Sequence, residues 1–364
     1  MKFNQIEKFY KNKKVLIIGH TGFKGSWLTL CLRNLGSQIH GISNDVPTTP
    51  SHFILSKINK DIKDHRADIR NYKNLKRKII SIKPDIIFHF AAQSLVKESF
   101  NEPYKTWTTN LMGSINIFEF LRSTNLTKKT SVVIITSDKC YKNLNKKKGY
   151  IETDELGDSE PYGASKAAVE LAFRSYFDSF FKDKKNIKIA TARAGNVIGG
   201  GDWSKNRILP DLFRTLKSKK KLLKIRYPNS TRPWQHVLEP IYGYMYLALN
   251  LHQNKKNTNG ESFNFGPKFI KNYKVTELLI ELKKYLPQII WKIDSNKKKV
   301  HEAGLLNLNS NKTFKILKWK NILNFAETVE MTAEWYNKYF KNNDVREISL
   351  KQINQYQIKL KKNK

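Results

Sequence analysis

The N-terminal part of the chain carries a short apolar run followed by three evenly spaced glycines. The run VLII at residues 15–18 predicts a buried strand, and Gly19, Gly22 and Gly25 follow it directly. From Trp27 to Leu35 the apolar residues recur at helical spacing. Glycines between a strand and a helix permit a tight turn and let backbone N–H groups approach a phosphate at the helix N-terminus. The segment therefore predicts the opening strand, turn and helix of an α/β fold, either as a phosphate site or as an ordinary βα turn.

Strand and helix patterns alternate through the first half of the chain. Strands are expected near 14–18, 38–42, 85–90, 131–136 and 187–193, and helices near 25–35, 71–82, 101–123 and 162–182. This alternation predicts a Rossmann-type, doubly wound parallel sheet that helices cover on both faces. Residues 237–251 have the pattern of another helix, and 262–265 that of a strand that could return to the sheet.

The same pattern divides the chain into two lobes. Residues 1–195 plus about 237–266 are expected to form a dinucleotide-binding domain. Residues from about 196 to 236 plus 267–341 are expected to form a smaller, discontinuous α+β lobe that binds the substrate. The segment 342–364 is expected to be a peripheral helix or a frayed tail.

The chain is strongly basic. It has 67 Lys and Arg residues against 31 Asp and Glu residues, a formal net charge of +36. Such a balance is typical of proteins that bind nucleic acid or anionic membranes. Here the basic residues are mostly lysines among asparagines and isoleucines at predicted loops and ends, as at 146–148. We interpret the charge as a solvated surface of biased composition without a dedicated nucleic-acid or membrane partner, although it would also help to capture anionic ligands.

Cysteine usage and targeting signals predict the compartment. Two cysteines, Cys31 and Cys140, cannot build a disulfide framework, and both are expected to be buried thiols in a reducing cytoplasm. No apolar run has transmembrane length, and the first residues lack a signal-peptide pattern. No His/Cys cluster has the spacing of a metal site, so no metal is expected.

The residues with the clearest chemical pattern lie near the middle of the chain. Ser137, Asp138 and Lys139 follow the strand predicted at 131–136, at the carboxyl end where open α/β sheets bind ligands. Tyr162 and Lys166 are four residues apart and share a helix face. A lysine ammonium beside the phenol would lower its pKa and make it a base for a sugar hydroxyl. The pair at 138–139 indicates a second proton transfer, for which elimination of water is the obvious candidate.

Seven segments carry a family resemblance that spans about residues 10 to 340. They are GHTGFKGSWL (19–28), FHFAAQSLV (88–96), TNLMG (109–113), TSDKCY (136–141), PYGASK (161–166), RAGNVIGGGDW (193–203) and RPWQHVLEP (232–240). On these motifs the chain resembles the extended short-chain dehydrogenase/reductase superfamily and, within it, the CDP-glucose 4,6-dehydratase family. The first and fifth segments occur across the superfamily, whereas TSDKCY, GGGDW and RPWQHV are more specific to the CDP-sugar enzymes.

The resemblance implies NAD as the cofactor. Its implied contacts are Gly19, Thr21, Gly22, Phe23, Lys24, Gly25, Asp68, Ile69, Ala91, Ala92, Gln93, Tyr162 and Lys166. Asp45, just after the second strand, is either a ligand of the ribose or an ordinary loop carboxylate. NADP stays open as an alternative because Lys24 or Arg66 could meet a 2′-phosphate.

The resemblance also implies CDP-glucose as the substrate and a homo-oligomer, either a dimer or a tetramer. The implied substrate contacts are Ser94, Asn110, Asn196, Arg207 and Arg232. Arginine suits this role because its guanidinium can bind a phosphate with two hydrogen bonds. His236 is expected to be structural, and Trp203 and Trp234 belong either to the core or to a stacking wall for a pyrimidine.

In such an enzyme, each catalytic residue has an implied role. Tyr162 would take the proton of the sugar 4-hydroxyl, and Lys166 would hold it ionised and contact the nicotinamide ribose. Ser137 would hydrogen-bond O4, and a protonated Asp138 would donate to the departing C6 oxygen. The product would be a 4-keto-6-deoxy sugar for a surface polysaccharide such as lipopolysaccharide O-antigen, without net oxidation.

Lys139 has two possible roles. The related dTDP-glucose 4,6-dehydratases carry at this position a glutamate, the expected base for the C5 proton. Lys139 is expected either to be that base as a neutral, desolvated amine, which we favour, or to stabilise an enolate by its charge.

Two other classes of function remain open. A nucleotide-sugar 4-epimerase, or a dehydratase for another nucleotide-sugar, would share the glycines and Tyr162/Lys166, but an epimerase would not need Asp138 and Lys139. A nucleic-acid-binding protein on a dehydrogenase-like fold would explain the charge but not the intact catalytic set.

Overall fold

The computed structural model describes residues 3–217, 222–267, 272–294 and 305–362 of the 364-residue chain. The strands in these ranges are β1 (Lys14–Ile18), β2 (Gln38–Ser43), β3 (Lys63–Arg66), β4 (Ile86–His89), β5 (Thr130–Ile135), β6 (Ile187–Ala194), β7 (Val197–Ile198), β8 (Leu222–Ile225), β9 (Thr231–Arg232), β10 (Gln235–His236), β11 (Ser262–Phe265), β12 (Tyr273–Lys274) and β13 (Ile290–Ile293). The helices are α1 (Phe3–Tyr10), α2 (Phe23–Asn34), α3 (His52–Leu55), α4 (Tyr72–Ile82), α5 (Val96–Asn101), α6 (Pro103–Trp107), α7 (Gly113–Ser123), α8 (Pro161–Tyr176), α9 (Ile208–Lys217), α10 (Leu238–His252), α11 (Val275–Lys283), α12 (Asn311–Leu317), α13 (Phe325–Phe340) and α14 (Val345–Lys362).

A central parallel sheet organises the molecule. Within the described ranges it has seven strands in the order β11-β6-β5-β4-β1-β2-β3, and every neighbouring pair is parallel. The chain reverses its direction of winding between β1 and β4, and open α/β sheets bind ligands outside the strand ends at such a point. The sheet confirms the predicted Rossmann-type fold, including the return of the strand at 262–265.

The apolar run that opens the chain is buried on both faces of this sheet. Val15 and Ile17 belong to a core shared with α2, α10 and the C-terminal helices. Leu16 and Ile18 belong to the opposite core, shared with α4, α7 and α8. Since successive side chains of a strand point to opposite faces, four consecutive apolar residues are what a doubly covered strand requires.

One strand and two helices illustrate where the structure differs from the sequence prediction. Strand β3, with the sequence KDHR, was not predicted because it is a polar, partly exposed edge strand that pairs only with β2 in the described sheet. The helix expected at 101–123 is divided into α6, a π-helical turn at Thr108–Met112, and α7. Pro103 starts α6, since proline suits the first helical position. The helix predicted at 162–182 forms α8, which ends at Tyr176, and a second π-helical turn follows at Phe177–Phe181.

The C-terminal segment forms a helix. The sequence left a peripheral helix or a frayed tail as alternatives for residues 342–364. The structure has the 18-residue helix α14, which buries Val345, Ile348 and Tyr356, so the described part of this segment is not a frayed tail. Helix α10 packs on β5 and β6, and β11 pairs with β6. The division into residues 1–195 plus about 237–266 and about 196–236 plus 267–341 stays a proposal.

Two smaller observations concern the cysteines and the helices. Cys31 and Cys140 are both buried and unpaired, as expected. Among the helices of the described residues, none combines the length and the apolar character that crossing a membrane requires.

Candidate active site

The glycine turn brings three backbone segments into close contact. Gly19 has φ +94°, and a Cβ at this position would lie 2.5 Å from the backbone nitrogen of Ala91. A Cβ on Gly25 would lie 2.2 Å from the carbonyl oxygen of Gly19. Helix α2 has Gly22 as its N-cap without a side-chain cap, and its first backbone bond runs from Ser26 N to Gly22 O, 2.8 Å. The N–H groups of residues 23–25 precede that bond, so this bare helix N-terminus fits a phosphate group.

The end of the turn near β2 and β3 holds the residues expected at the adenosine. Thr21 Oγ1 donates to the backbone oxygen of Asp45 at 2.7 Å, so the described contact of Asp45 is with the turn itself. Asp68 binds the side chain of Arg70, whose Nη2 lies 2.6 Å from Asp68 Oδ2. Ile69 packs against α7, where a Cβ on residue 113 would lie 2.4 Å from its Cδ1. The adenine role of Asp68 and Ile69 stays a proposal.

The two cations that kept NADP open have different surroundings. Arg66 Nη2 lies 2.7 Å from Asp64 Oδ2 beside the end of β2. Burial and the charge of Arg207 lower the pKa of Lys24 to about 8, whereas Asp138 opposes the shift. Lys24 therefore interacts with the candidate catalytic residues, and Arg66 is the better candidate for a contact with a 2′-phosphate.

The segment after β4 is fixed by the side-chain amides of Asn110 and Gln93. The side-chain amide of Asn110 is buried, accepting from Gln93 N at 2.8 Å and donating to Gln93 O at 3.0 Å and Ser165 Oγ at 2.8 Å. The side chain of Gln93 bonds to Thr106 Oγ1 and to the backbone of Leu95. Both amides hold this loop against α6 and α8, and the roles of Gln93 toward the cofactor and of Asn110 toward the substrate stay proposals. Sequence reasoning could not see these bonds because they join distant segments.

Three other expected residues of this segment are placed where a ligand could reach them. The N–H of Ala91 donates to the carbonyl of Ile18 at 2.9 Å, which sets this residue beside Gly19. Ala92 is half-buried and Ser94 is exposed. Their roles toward cofactor and substrate remain proposals.

Ser137, Asp138 and Tyr162 form a buried cluster where β5 ends against the start of α8. Ser137 Oγ donates to Asp138 Oδ1 at 2.9 Å, and Ser137 lies near enough to the Tyr162 phenol to lower its pKa. Asp138 Oδ2 is buried and has no hydrogen-bond partner among the described residues. Burial raises the pKa of the Asp138 carboxyl, against the opposing effects of Ser137, Lys139 and Lys24. The cluster thus places a carboxyl with a raised pKa next to a phenol.

The surroundings of Tyr162 correct one expectation. Burial raises the pKa of Tyr162 to about 12, while the hydrogen bond of Ser137 and the charge of Arg207 lower it. Lys166 Nζ donates to the carbonyl of Ile135 at 3.2 Å, and burial lowers its own pKa to about 8. The shared helix face is confirmed, but the dominant effect on the phenol is burial and not a neighbouring ammonium.

Lys139 lies between two carboxylates that sequence reasoning missed. Its Nζ is 3.6 Å from Glu160 Oε1 and 3.9 Å from Asp158 Oδ2. Glu160 is the N-cap of α8 and accepts from the N–H of Tyr162 at 2.7 Å and of Gly163 at 2.9 Å. An acidic residue directly before a proline that opens a helix is a recognisable cap signal, and it could have drawn attention to Glu160.

The expected substrate arginines lie near this cluster. Arg207 Nη1 pairs with Asp202 Oδ2 at 3.1 Å, and its charge acts on the Tyr162 phenol. Arg232 is buried, donates to its neighbouring backbone carbonyl at 2.8 Å, and its charge acts on Asp138. Asn196 is half-buried next to β7, where its backbone oxygen accepts from the N–H of residue 235.

The aromatic residues of this lobe belong to the core. Trp203 packs edge-on against Tyr336 with ring centroids 5.3 Å apart, and Trp234 lies in the same apolar cluster. Of the two alternatives, the structure supports the core. His236 is fully buried, its Nδ1 accepts from Leu238 N at 3.3 Å, and burial lowers its pKa to about 3. It is a neutral structural histidine, as expected.

A buried ion pair joins α8 to the central sheet. Glu170, one turn after Lys166, accepts from Arg193 Nη2 at 2.8 Å and from Thr136, Thr191 and Ser262 at 2.5–3.0 Å. The side chains of Glu170 and Arg193 are 1% and 3% exposed. The network fixes the helix that carries Tyr162 and Lys166 against β5, β6 and β11.

We expect Glu170→Ala to lower the free energy of unfolding by about 3–5 kcal/mol, because it leaves the Arg193 charge buried without its partner. Urea denaturation measures the change. Glu155→Ala is the matched control, since it removes an exposed pair with Lys142 and should cost less than about 1 kcal/mol. Equal losses in the two variants would contradict a supporting role for the network.

Together, the sheet order, the glycine turn and the Ser137–Tyr162–Lys166 cluster are those of a short-chain dehydrogenase/reductase. A profile of the GDP-mannose 4,6-dehydratase family matches residues 16–332. The chain belongs to this family of nucleotide-sugar 4,6-dehydratases.

The similar proteins include dehydratases and epimerases. The chain is 37% identical to the CDP-glucose 4,6-dehydratase of Salmonella typhimurium over 356 residues, which cover 96% of this chain and 98% of that protein. It is 23% identical to the dTDP-D-glucose 4,6-dehydratase of Homo sapiens, with 91% of each chain covered.

Solved structures share the fold at low identity. The dTDP-glucose 4,6-dehydratase of Bacillus anthracis in complex with NAD has a TM-score of 0.72 at 20% identity, covering 90% of this chain and 97% of that one. The UDP-glucose-4-epimerase of Stenotrophomonas maltophila with bound NAD has a TM-score of 0.77 at 18% identity, covering 91% and 100%.

Proposed function

We propose that the protein converts CDP-glucose into CDP-4-keto-6-deoxyglucose and water, with NAD as its cofactor. The observation that carries the proposal is Asp138, a buried carboxyl with a raised pKa and an unpartnered Oδ2 beside Ser137 and Tyr162. A dehydratase needs such a proton donor next to its base, whereas an epimerase does not. The choice of CDP-glucose is supported by the 37% identity to the Salmonella typhimurium enzyme.

The glycine turn fits the diphosphate of NAD. The bare N-terminus of α2 supplies backbone N–H groups, and the missing side chains at Gly19 and Gly25 allow the segments to approach each other. Thr21, Phe23 and Lys24 complete the proposed turn contacts, and Tyr162 and Lys166 would face the nicotinamide end. When bound, NAD would accept a hydride from C4 of the sugar and return it to C6.

The first step proposed for the protein side chains is proton removal at the 4-hydroxyl. Hydroxide is a poor leaving group and the C5 proton is not acidic until C4 is a ketone. Tyr162 would accept the 4-hydroxyl proton as a phenolate; burial raises the pKa of the phenol, and Ser137 and the Arg207 charge oppose that rise. Lys166 holds the end of β5 through Ile135 and would contact the ribose.

The elimination of water would then need Asp138 as the acid and a second group as the base for the C5 proton. Burial raises the pKa of the Asp138 carboxyl, which favours its role as the proton donor to the departing C6 oxygen. Ser137 would turn its hydroxyl from Asp138 to the O4 oxygen of the sugar. Either Lys139 or a water molecule beside it would take the C5 proton, and the same group would give a proton back to C5 when the hydride adds at C6. Arg207 and Arg232 would bind the diphosphate.

The proposal predicts a bound, recycled cofactor. Because the hydride leaves C4 and returns to C6, denatured protein should release NAD in nearly stoichiometric amount, and incubation with CDP-glucose should yield the 4-keto-6-deoxy product without accumulation of NADH. Mass spectrometry of product and released cofactor measures both, with UDP-, dTDP- and GDP-sugars as controls. Steady net NADH formation would point to a simple dehydrogenase. Interconversion of 4-epimers without loss of water would favour the epimerase.

Further parts of the proposal concern the setting of the enzyme. The family resemblance implies a dimer or tetramer in the cytoplasm and NAD in preference to NADP. It also implies that the product is used for lipopolysaccharide O-antigen or a similar surface polysaccharide. Light scattering on the purified protein tests the oligomer, and the identity of the released cofactor tests the choice of NAD.

A further inference from the structure

Lys139 is held in a position that decides what its amine can do. The side chain is 25% exposed, and its Nζ lies 3.6 Å from Glu160 Oε1 and 3.9 Å from Asp158 Oδ2. The side chains of these two carboxylates are only 10% and 13% exposed, so solvent screens the pair of contacts incompletely. Burial raises the pKa of Asp138, the acidic residue that directly precedes Lys139 in the chain.

The two carboxylates are themselves fixed by backbone contacts. Glu160 accepts from the N–H of Tyr162 and of Gly163, and from Ser99 Oγ at 3.2 Å. These donors at a helix N-terminus stabilise its negative charge. Asp158 Oδ1 accepts from the N–H of residue 159 at 2.8 Å, which leaves Oδ2 directed toward Lys139.

A glycine makes this close approach possible. A Cβ on Gly163 would lie 2.5 Å from Asp158 Cβ and 2.6 Å from the backbone oxygen of Lys139. The start of α8, the Asp158 loop and the Lys139 turn can therefore pack together only with a glycine at this position. The amine of Lys139 faces the carboxylates of Asp158 and Glu160. Asp138 lies on the same turn as Lys139.

We propose that Asp158 and Glu160 hold Lys139 as an ammonium ion, which acts on the sugar by its positive charge and is not the base for the C5 proton. The inference rests on the proposed function for its catalytic part. A neutral amine would leave two nearly buried carboxylates without their counter-charge, an arrangement that is strongly unfavourable. The ammonium stabilises the negative charge of the enolate that forms when a neighbouring water molecule takes the C5 proton. Asp158 and Glu160 are thus positioning residues that hold the ammonium of Lys139 in place.

Reactivity of the amine tests the charge state without any substrate. Only a neutral amine reacts with acetic anhydride, so brief acetylation over a series of pH values, resolved by mass spectrometry, reports the protonation of each lysine. Lys83, an exposed residue after α4, is the internal standard. Acetylation of Lys139 relative to Lys83 should rise by roughly threefold or more at mildly alkaline pH in both Glu160→Gln and Asp158→Asn, because each removes a neighbouring negative charge.

Two further variants make this result specific. Glu160→Asp keeps the charge and the capping group and should restore most of the parent protection. Asp158→Asn does not touch the cap of α8, so a rise in this variant cannot come from fraying of the helix. Equal acetylation of Lys139 in the parent and in both charge-removing variants would overturn the proposal.

The rate at which solvent deuterium enters C5 of CDP-glucose tests the proposed catalytic role of Lys139. The two possible roles predict opposite changes of this rate in the variants. If Lys139 acts by its charge, Glu160→Gln and Asp158→Asn should slow exchange, because each variant removes a carboxylate that holds the ammonium in place. If Lys139 were the base, removal of a carboxylate would make the neutral amine more available, and exchange near neutral pH would become faster. Faster exchange would therefore overturn the assigned role.

Substitution of Lys139 itself gives an independent ordering. With a charge role, Lys139→Met should still exchange at a reduced rate, and Lys139→Glu should be slower than Lys139→Met because a negative charge opposes the enolate. With a base role, the Met variant should stop exchange and the Glu variant should restore part of it. If the parent protein converts none of the nucleotide-sugars, the proposed function fails, whereas the acetylation result still decides the charge of Lys139.

Discussion

Tyr162→Phe should abolish turnover, because the variant has no group left to accept the proton of the sugar 4-hydroxyl. The phenol lies in a buried cluster with Ser137 and Asp138, and its hydroxyl is the oxygen that a substrate hydroxyl would meet. Without this proton transfer C4 cannot become a ketone, and neither loss of water nor hydride return can follow. We expect no detectable product and no transient absorbance of reduced nicotinamide on mixing with CDP-glucose in a stopped-flow experiment.

A second tyrosine on the same helix provides the control for this variant. Tyr176 donates its hydroxyl to Glu119 at 2.7 Å on the outer side of α8. Tyr176→Phe removes the same atom far along the helix from the catalytic cluster and should keep the parent rate. Parent-like C4 oxidation in Tyr162→Phe would show that another group is the base.

Asp138→Asn should separate oxidation from elimination. The amide cannot donate an acidic proton to the C6 oxygen, so C4 oxidation should persist while loss of water slows by roughly 100-fold or more, the usual worth of general acid catalysis. A transient 4-keto-glucose intermediate that retains its C6 hydroxyl should then accumulate and be trapped by borohydride reduction. Asp178→Asn, an exposed change on the turn after α8, is the control and should leave both steps unaltered. Dehydration at the parent rate in Asp138→Asn would contradict the assigned acid.

The pH dependence of elimination follows from the same carboxyl. Burial raises the pKa of Asp138, so the proton-donating form persists to a higher pH than for an exposed aspartate. The rate of water loss should be full below this raised pKa and fall as the pH rises through it, since the carboxylate has no proton to give. The fall should be absent in Asp138→Asn, whose side chain does not titrate in this range. A rate that rises with pH through the same region would require Asp138 to act as a base.

Local sequence patterns determined the frame of this protein. Four consecutive apolar residues and three glycines specified a strand buried on both faces, a tight turn and a bare helix N-terminus, because each of these features depends on neighbouring residues. The spacing of Tyr162 and Lys166 fixed their common helix face for the same reason. The motif at 136–141 placed Ser137 and Asp138 at the end of β5, where the sheet topology gathers ligand contacts.

Only the tertiary structure decided the electrostatics and the contacts of these residues. Burial by distant segments sets the pKa of Tyr162 and of Asp138, and no spacing in the sequence reports it. No local pattern shows that the Asn110 amide is hydrogen-bonded, but it bonds to Gln93 and Ser165, which lie 17 and 55 positions away in the chain. Lys139 gains its two carboxylate neighbours from about twenty residues downstream, across a contact that Gly163 permits. Sequence patterns record local geometry, whereas charge states depend on which remote groups folding brings within a few ångströms.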